Sequence, residues 1–260
     1  SDVYKRQVKY SGGKPIMLST NYEDNFSIDI HKFESLITER TKLFMINSPN
    51  NPSGKYYDTE MLHKLSEVLK KHNNVFISSD DIYEHIHWGS EKFHNILNVC
   101  PDLKSRTIIL NGVSKAYSMT GWRIGYAAGN SEIIKKMKTL QSQSTSCASS
   151  VSQAAACSAL SNTCEEMPIM NNEYKKRHDY VVSELNKIEG VDCRPTDGTF
   201  YVFPSFKKFI EMNSNISNDS ELALYILEKA KVAVVPGSAF GIEGHLSLIH
   251  ISEPTRLRRI

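Results

Sequence analysis

The sequence predicts an α/β protein, with a mostly parallel sheet covered by helices and a smaller α+β domain towards the C-terminus. Two observations predict it. Short apolar runs alternate with amphipathic stretches through the middle of the chain, the pattern of strands joined by helical crossovers. After about Cys164 the character changes, and a long charged, helix-like stretch leads into further short strands.

Each element has a local reason. Residues 42–46 (KLFMI) read as a buried strand, followed at once by the turn-rich NSPNNPSG of residues 47–54. Met61, Leu62, Leu65, Val68 and Leu69 recur at helical spacing, with Asp58 or Thr59 placed to cap the first turn. Residues 75–78 give a second strand that ends on Asp80, residues 107–110 a third and residues 123–128 a fourth. Helices follow over 131–143 and 148–160. The C-terminal part predicts a long helix over 165–187, a strand at 199–203, a helix over 220–231 and a strand at 232–235.

Composition narrows the class. Hydrophobic residues make up 40% and charged residues 23% of the 260 positions, ordinary for a globular protein. A formal net charge of +2 gives no footprint for nucleic acid. Five cysteines without a C-x-x-C pair argue against a disulfide framework and for a reducing compartment, so a cytoplasmic location is expected. No apolar run reaches membrane-spanning length and no secretory h-region is visible. Residues 1–7 and 247–260 resemble translated sequencing-adapter read-through and are set aside as non-native. They carry a net positive charge, Lys5 and Arg6 against Asp2 and Arg256, Arg258 and Arg259 against Glu253. The basic balance therefore says little about partners.

Four places sit where a strand ends or the chain turns, which is where open α/β sheets collect ligands. Asn51-Pro52-Ser53-Gly54 fits a type I turn. Asp80 and Tyr83 follow the second strand; the carboxylate there can cap the next element or hold a positive ring nitrogen. Ser114 and Lys115 follow the third strand between small and apolar residues, where desolvation would free a neutral amine for imine chemistry. Arg123, eight residues on, offers a planar fork suited to phosphate. The fourth place, residues 195–201 (PTDGTFY), reads mostly as core packing. His85 and His87 have no third ligand at a readable spacing, so no metal site is expected. Neither a G-x-S-x-G elbow nor a dinucleotide-binding G-x-G-x-x-G is present.

In order and spacing these stretches resemble the class I pyridoxal-phosphate-dependent aminotransferases. NSPNNPSG (47–54), SDDIYEH (79–85), SKAYSMTGWRIGY (114–126), DGTFYVF (197–203) and VAVVPGSAFG (232–241) all match, and QSQSTSCASSVSQAAA (141–156) is similar to the bacterial aspartate aminotransferase branch. The resemblance implies a large cofactor-binding domain over 8–164 and a smaller C-terminal domain over 165–246, both partial. It implies pyridoxal 5′-phosphate as cofactor and Lys115 as the residue that forms its Schiff base. Asp80 is then expected on the ring nitrogen, Asn51 and Tyr83 on the ring oxygen, and Arg123, with Ser114, on the phosphate. Substrates would be an amino acid and a 2-oxo acid, aspartate with 2-oxoglutarate first, and the full-length form a homodimer.

The departures set further expectations. Gly244-His245-Leu246 should precede the family's substrate-carboxylate arginine, but Ser247 follows. The family's N-terminal arm and ring-stacking aromatic residue should lie upstream of Val8. A truncated and inactive form of a transaminase is therefore expected. A carbon–sulfur lyase of the same fold and a non-catalytic aminotransferase-like sensor domain are the alternatives.

Overall fold

The computed structural model describes residues 2–161 and 165–249. Cys164, where the sequence suggests a domain boundary, and residues 250–260 of the set-aside C-terminal stretch lie outside the described residues. In chain order the helices are α1 (Asp2–Tyr10), α2 (Ile30–Leu36), α3 (Thr59–Lys71), α4 (Ile96–Val99), α5 (Ser131–Ser144), α6 (Ser150–Ser161), α7 (Glu166–Leu185), α8 (Lys207–Glu211) and α9 (Asp219–Ala230). The strands are β1 (Leu43–Asn47), β2 (Phe76–Asp80), β3 (Thr107–Gly112), β4 (Gly125–Gly129), β5 (Tyr201–Val202), β6 (Val235–Pro236) and β7 (Leu246–Ile249). Two compact units form, each drawn from separate stretches: one from Ile28–Pro49 and Tyr56–Asn171, the other from Ser1–Ser27, Asn50–Lys55 and Asn172–Ile260.

The first unit is built on a four-stranded sheet in the order β1-β2-β3-β4. β1, β2 and β3 run parallel, with Asn47 opposite Asp80 and Asp80 opposite Leu110. β4 returns antiparallel to β3, with Gly112 opposite Gly125. The mostly parallel sheet expected from the apolar runs is thus present, and its fourth strand is reversed. α3 follows the predicted caps and stripe. The Asp58 carboxylate accepts from the Met61 amide at 2.8 Å, and Leu62, Leu65 and Leu69 are buried along one face.

At the other end of α3, Arg106 does work that the sequence hides. Its guanidinium donates to the carbonyls of Leu69, His72 and Val75 at 2.6–2.9 Å, adding a second donor to Leu69 and His72, which already accept from the His72 and Val75 amides, and tying the helix end to the segment before β2. Arg106→Met keeps the aliphatic stem and removes those donors. It is expected to lower stability by about 2 kcal/mol, read as a lower urea midpoint.

The second unit has a small antiparallel sheet in the order β5-β7-β6. Its core joins Val191, Phe206, Ile216, Leu222 and Leu246, and Tyr22, Phe26 and Phe203 form a second cluster. Four differences from the sequence reading belong here. The strand expected over 199–203 shortens to two residues, because Thr199 takes a left-handed φ of 65° and Pro204 follows. The strand expected from Val232 begins only at Val235, because Lys231 ends α9 in a left-handed conformation. Ser247–Ile249, set aside as non-native, belong to the central strand of this sheet. Residues 2–10, mostly set aside as well, form α1.

Candidate active site

The parallel register puts the carboxyl ends of β1, β2 and β3 along one edge of the sheet. Because β4 is antiparallel to β3, its leading residue Gly125 meets Gly112 at that same edge. The approach is close: a Cβ on Gly112 would lie 2.8 Å from the Ile124 carbonyl oxygen. The segment after β3, carrying Ser114 and Lys115, and the segment before β4, carrying Arg123, are thereby brought together. Val113 and Ala116 are buried on either side of Ser114 and Lys115, and Val113 packs with Ile124 and Ala156.

Lys115 is half-buried. Burial, and next the positive charge of Arg123, hold its amine below the usual lysine value. Its Nζ lies 5.9 Å from the centroid of the Tyr83 ring. Tyr83 is itself buried, in the turn that follows β2. Asp80 ends β2, and its Oδ1 accepts from the Ile82 amide at 3.3 Å while its carbonyl accepts from Asn47 Nδ2 at 2.9 Å. Arg123 has a left-handed backbone (φ 56°), and its Nη1 donates to the Thr120 carbonyl at 3.0 Å. Five of the six residues singled out from sequence, Asp80, Tyr83, Ser114, Lys115 and Arg123, therefore share one sheet edge of one compact unit.

The sixth, Asn51, belongs to the other unit. The type I turn expected over residues 51–54 is replaced by a wider turn that opens one residue earlier, at Asn50. The Gly54 amide donates to the Asn50 carbonyl at 2.8 Å, the Asn50 amide donates to the Lys55 carbonyl at 2.9 Å, and Ser53 Oγ donates to Asn50 Oδ1.

The sequence reading passed over a polar network next to Asp80. Asp81 is buried, accepting from Ser79 Oγ at 2.6 Å and Asn95 Nδ2 at 2.8 Å. Burial raises its carboxyl to about 6 against those hydrogen bonds, and the neighbouring charges of Glu84 and Asp80 add to the rise. Glu84 in turn accepts from Asn111 Nδ2 at 2.7 Å. Only alternation along β2 hints at this, since consecutive residues at a strand end point to opposite sides. His87 packs on Tyr56 with ring centroids 4.3 Å apart, and its carbonyl accepts from Asn171. His85 lies 3.3 Å from Glu84.

A half-buried amine, a carboxylate, a phenol and a guanidinium thus lie along the carboxyl edge of a mostly parallel sheet in an α/β protein. Comparison with known proteins gives the family: the chain matches "Aminotransferase class I and II" over residues 2–258 and belongs to it. It is 46% identical over 250 residues to the aspartate/prephenate aminotransferase of Nitrosomonas europaea, covering 94% of this chain and 63% of that protein. It is 41% identical over 259 residues to an aspartate aminotransferase of Rhizobium meliloti, covering 98% and 63%. The crystal structure of the aspartate aminotransferase from Rhizobium meliloti superposes with a TM-score of 0.92 at 40% identity, covering 99% of this chain and 66% of that one. A Thermus thermophilus aspartate aminotransferase mutant gives 0.86 at 34%, covering 98% and 64%. The chain thus spans a little under two thirds of the length of these relatives. No helix among the described residues is long and apolar enough to cross a membrane.

Proposed function

We propose that the chain carries the cofactor-anchoring part of a pyridoxal-phosphate-dependent transaminase, acting on an amino acid and a 2-oxo acid. Aspartate with 2-oxoglutarate is the first pair to test, since relatives named for aspartate recur among the matches. The observation that carries the reading is the depressed amine of Lys115, with Tyr83 beneath it, Arg123 beside it and Asp80 at the end of the neighbouring strand.

These groups suit the cofactor in charge and chemistry. Pyridoxal 5′-phosphate, when bound, supplies a carbonyl that condenses with amines and a ring that stabilises negative charge on the substrate carbon. Lys115 offers an amine whose desolvation raises its neutral fraction near neutral pH, suiting it to attack a carbonyl and later to carry the proton from the substrate Cα. Asp80 would hold a proton on the ring nitrogen by a charge-assisted hydrogen bond. Tyr83 would donate to the ring oxygen; for Asn51, in the other unit, the same role rests on the family resemblance alone. Arg123 would clamp the phosphate with its planar fork, Ser114 adding a hydroxyl. A homodimer and a cytoplasmic setting accompany this reading, by analogy with the family.

Adding pyridoxal 5′-phosphate to the purified chain should produce a visible absorbance band. Borohydride should then fix the cofactor to the peptide that contains Lys115, read by mass spectrometry. A tag spread over surface lysines would sink the reading. Turnover of aspartate with 2-oxoglutarate by this chain alone would overturn the expected inactivity and leave the reaction class intact.

A further inference from the structure

The unit formed by Ser1–Ser27, Asn50–Lys55 and Asn172–Ile260 contains a chain of contacts that ends on the turn carrying Asn51. It starts at His178 on α7, whose side chain is 1% exposed. The Thr196 amide nitrogen lies 3.0 Å from His178 Nε2, and Asp179 Oδ1 lies 2.9 Å from His178 Nδ1. A backbone N–H can only donate, so Nε2 is the unprotonated acceptor and the ring proton sits on Nδ1, donated to Asp179. Lys175 Nζ holds the other Asp179 oxygen at 2.6 Å.

Thr196 then meets the Asn51 turn. A Cβ on Gly54 would lie 2.6–2.8 Å from all three heavy atoms of the Thr196 side chain, and Gly54 has a left-handed φ of +67°. Residue 54 must be glycine on both counts. One residue further, Asp197 Oδ2 lies 3.5 Å from Lys55 Nζ. Two consecutive residues, 196 and 197, therefore grip two consecutive residues, 54 and 55, and His178 fixes the backbone of the first.

We propose that His178 is a positioning residue: by accepting the Thr196 N–H at Nε2 it fixes the Thr196–Asp197 turn, which sets the backbone of the Asn50–Lys55 turn and so the direction in which Asn51 is presented. The structural part stands on these contacts alone, and its link to the cofactor rests on the reading of Asn51 proposed above. A protonated His178 has two donors and no acceptor, so the Thr196 contact exists only with the neutral ring. Burial holds His178 below the usual histidine value; the Asp179 hydrogen bond and charge oppose this, Lys175 lowers it further and Asp197 raises it. With the folded value depressed, the contact is fully present above pH 6.5 and is lost as pH falls through the folded value.

Hydrogen exchange by mass spectrometry on the full chain tests this, with His178→Phe removing the acceptor and His178→Gln keeping one acceptor and one donor. Exchange should quicken about tenfold in both 195–199 and 50–55 for H178F, the loss expected of one hydrogen bond, and stay within about twofold of wild type for H178Q. Faster exchange in 195–199 with 50–55 unchanged, or equal effects of both variants, overturns the proposal. Pyridoxal 5′-phosphate affinity should fall about fivefold or more in H178F and recover in H178Q. If wild type binds no pyridoxal 5′-phosphate, the proposed function fails while the exchange result still decides the positioning role. If H178F does not fold, the His178 ring titration is followed by NMR in wild type alongside exchange, after correction for intrinsic exchange. Protection of 50–55 must drop at the pH at which the ring takes up its proton; protection unchanged through that titration overturns the proposal.

Discussion

Replacing Lys115 with alanine is expected to reduce borohydride-fixed pyridoxal phosphate to below about 1% of the wild-type level, because Lys115 is the amine that follows β3 at that sheet edge and would make the covalent link. Two features act on the Lys115 amine. It is half-buried between Val113 and Ala116, and Arg123 adds a like charge. Both effects act against the ammonium form. Linkage then predicts a second result. With the folded value depressed, the unfolded chain holds the proton more tightly, so below the folded value the charged amine costs the fold stability. That cost is relieved as pH climbs towards 10.5. Lys115→Met, which keeps the stem and removes the charge, should therefore melt no lower than wild type at neutral pH without cofactor, while losing the covalent tag. A variant that loses the tag and also melts well below wild type would make Lys115 a structural residue. Calorimetry and mass spectrometry on the same sample separate the two outcomes.

Much of the first unit was legible in the sequence because its signals are local. Residues 42–46, 75–78 and 107–110 are apolar runs bounded by turn residues, and each became a strand whose end differs from the reading by at most two residues. Asp58 capped α3 as its position implied. The candidate site residues carry a related signal, since Asp80 ends β2, Lys115 follows β3 and Arg123 precedes β4, and the apolar runs already mark those strands. What stayed hidden depends on contacts far apart in sequence. The grouping of residues 1–27 and 50–55 with the C-terminal unit has no local signal. Neither does the pairing of Arg106 with carbonyls more than thirty residues away. His178 was passed over because a lone histidine in a charged helix reads as surface. Its burial follows from the packing of the Thr196 turn. The strand at Leu246–Ile249 stayed hidden for a different reason: Ser247–Ile249 belong to a stretch that resembles read-through, and four residues (LSLI) without strict alternation carry little strand signal.

Asp80→Asn should weaken pyridoxal 5′-phosphate binding about a hundredfold, roughly 2.7 kcal/mol, the scale of one charge-assisted hydrogen bond in a site shielded from water. The substitution is nearly isosteric. Asparagine keeps an oxygen for the Ile82 amide, and the Asn47 bond goes to the main-chain carbonyl, so the turn after β2 should survive. What disappears is the negative charge, and two measurements can read that loss apart from packing. In the wild type, a ¹⁵N-labelled pyridine ring should remain protonated well above the ordinary range of a free pyridine, and in Asp80→Asn its titration should move to lower pH. The neighbouring carboxylate supplies an internal check that needs no ligand. Asp81 is raised to about 6, mainly by burial and in smaller part by the Asp80 charge. Removing that charge should lower the Asp81 value, read by carboxyl ¹³C shifts. The sign for stability follows. A carboxyl raised in the folded state makes stability fall as pH rises from 3.8 towards 6, and this fall should shrink in Asp80→Asn. If Asp81 shifts and cofactor binding does not, Asp80 bears on its neighbour's charge alone and the ring nitrogen must find another partner.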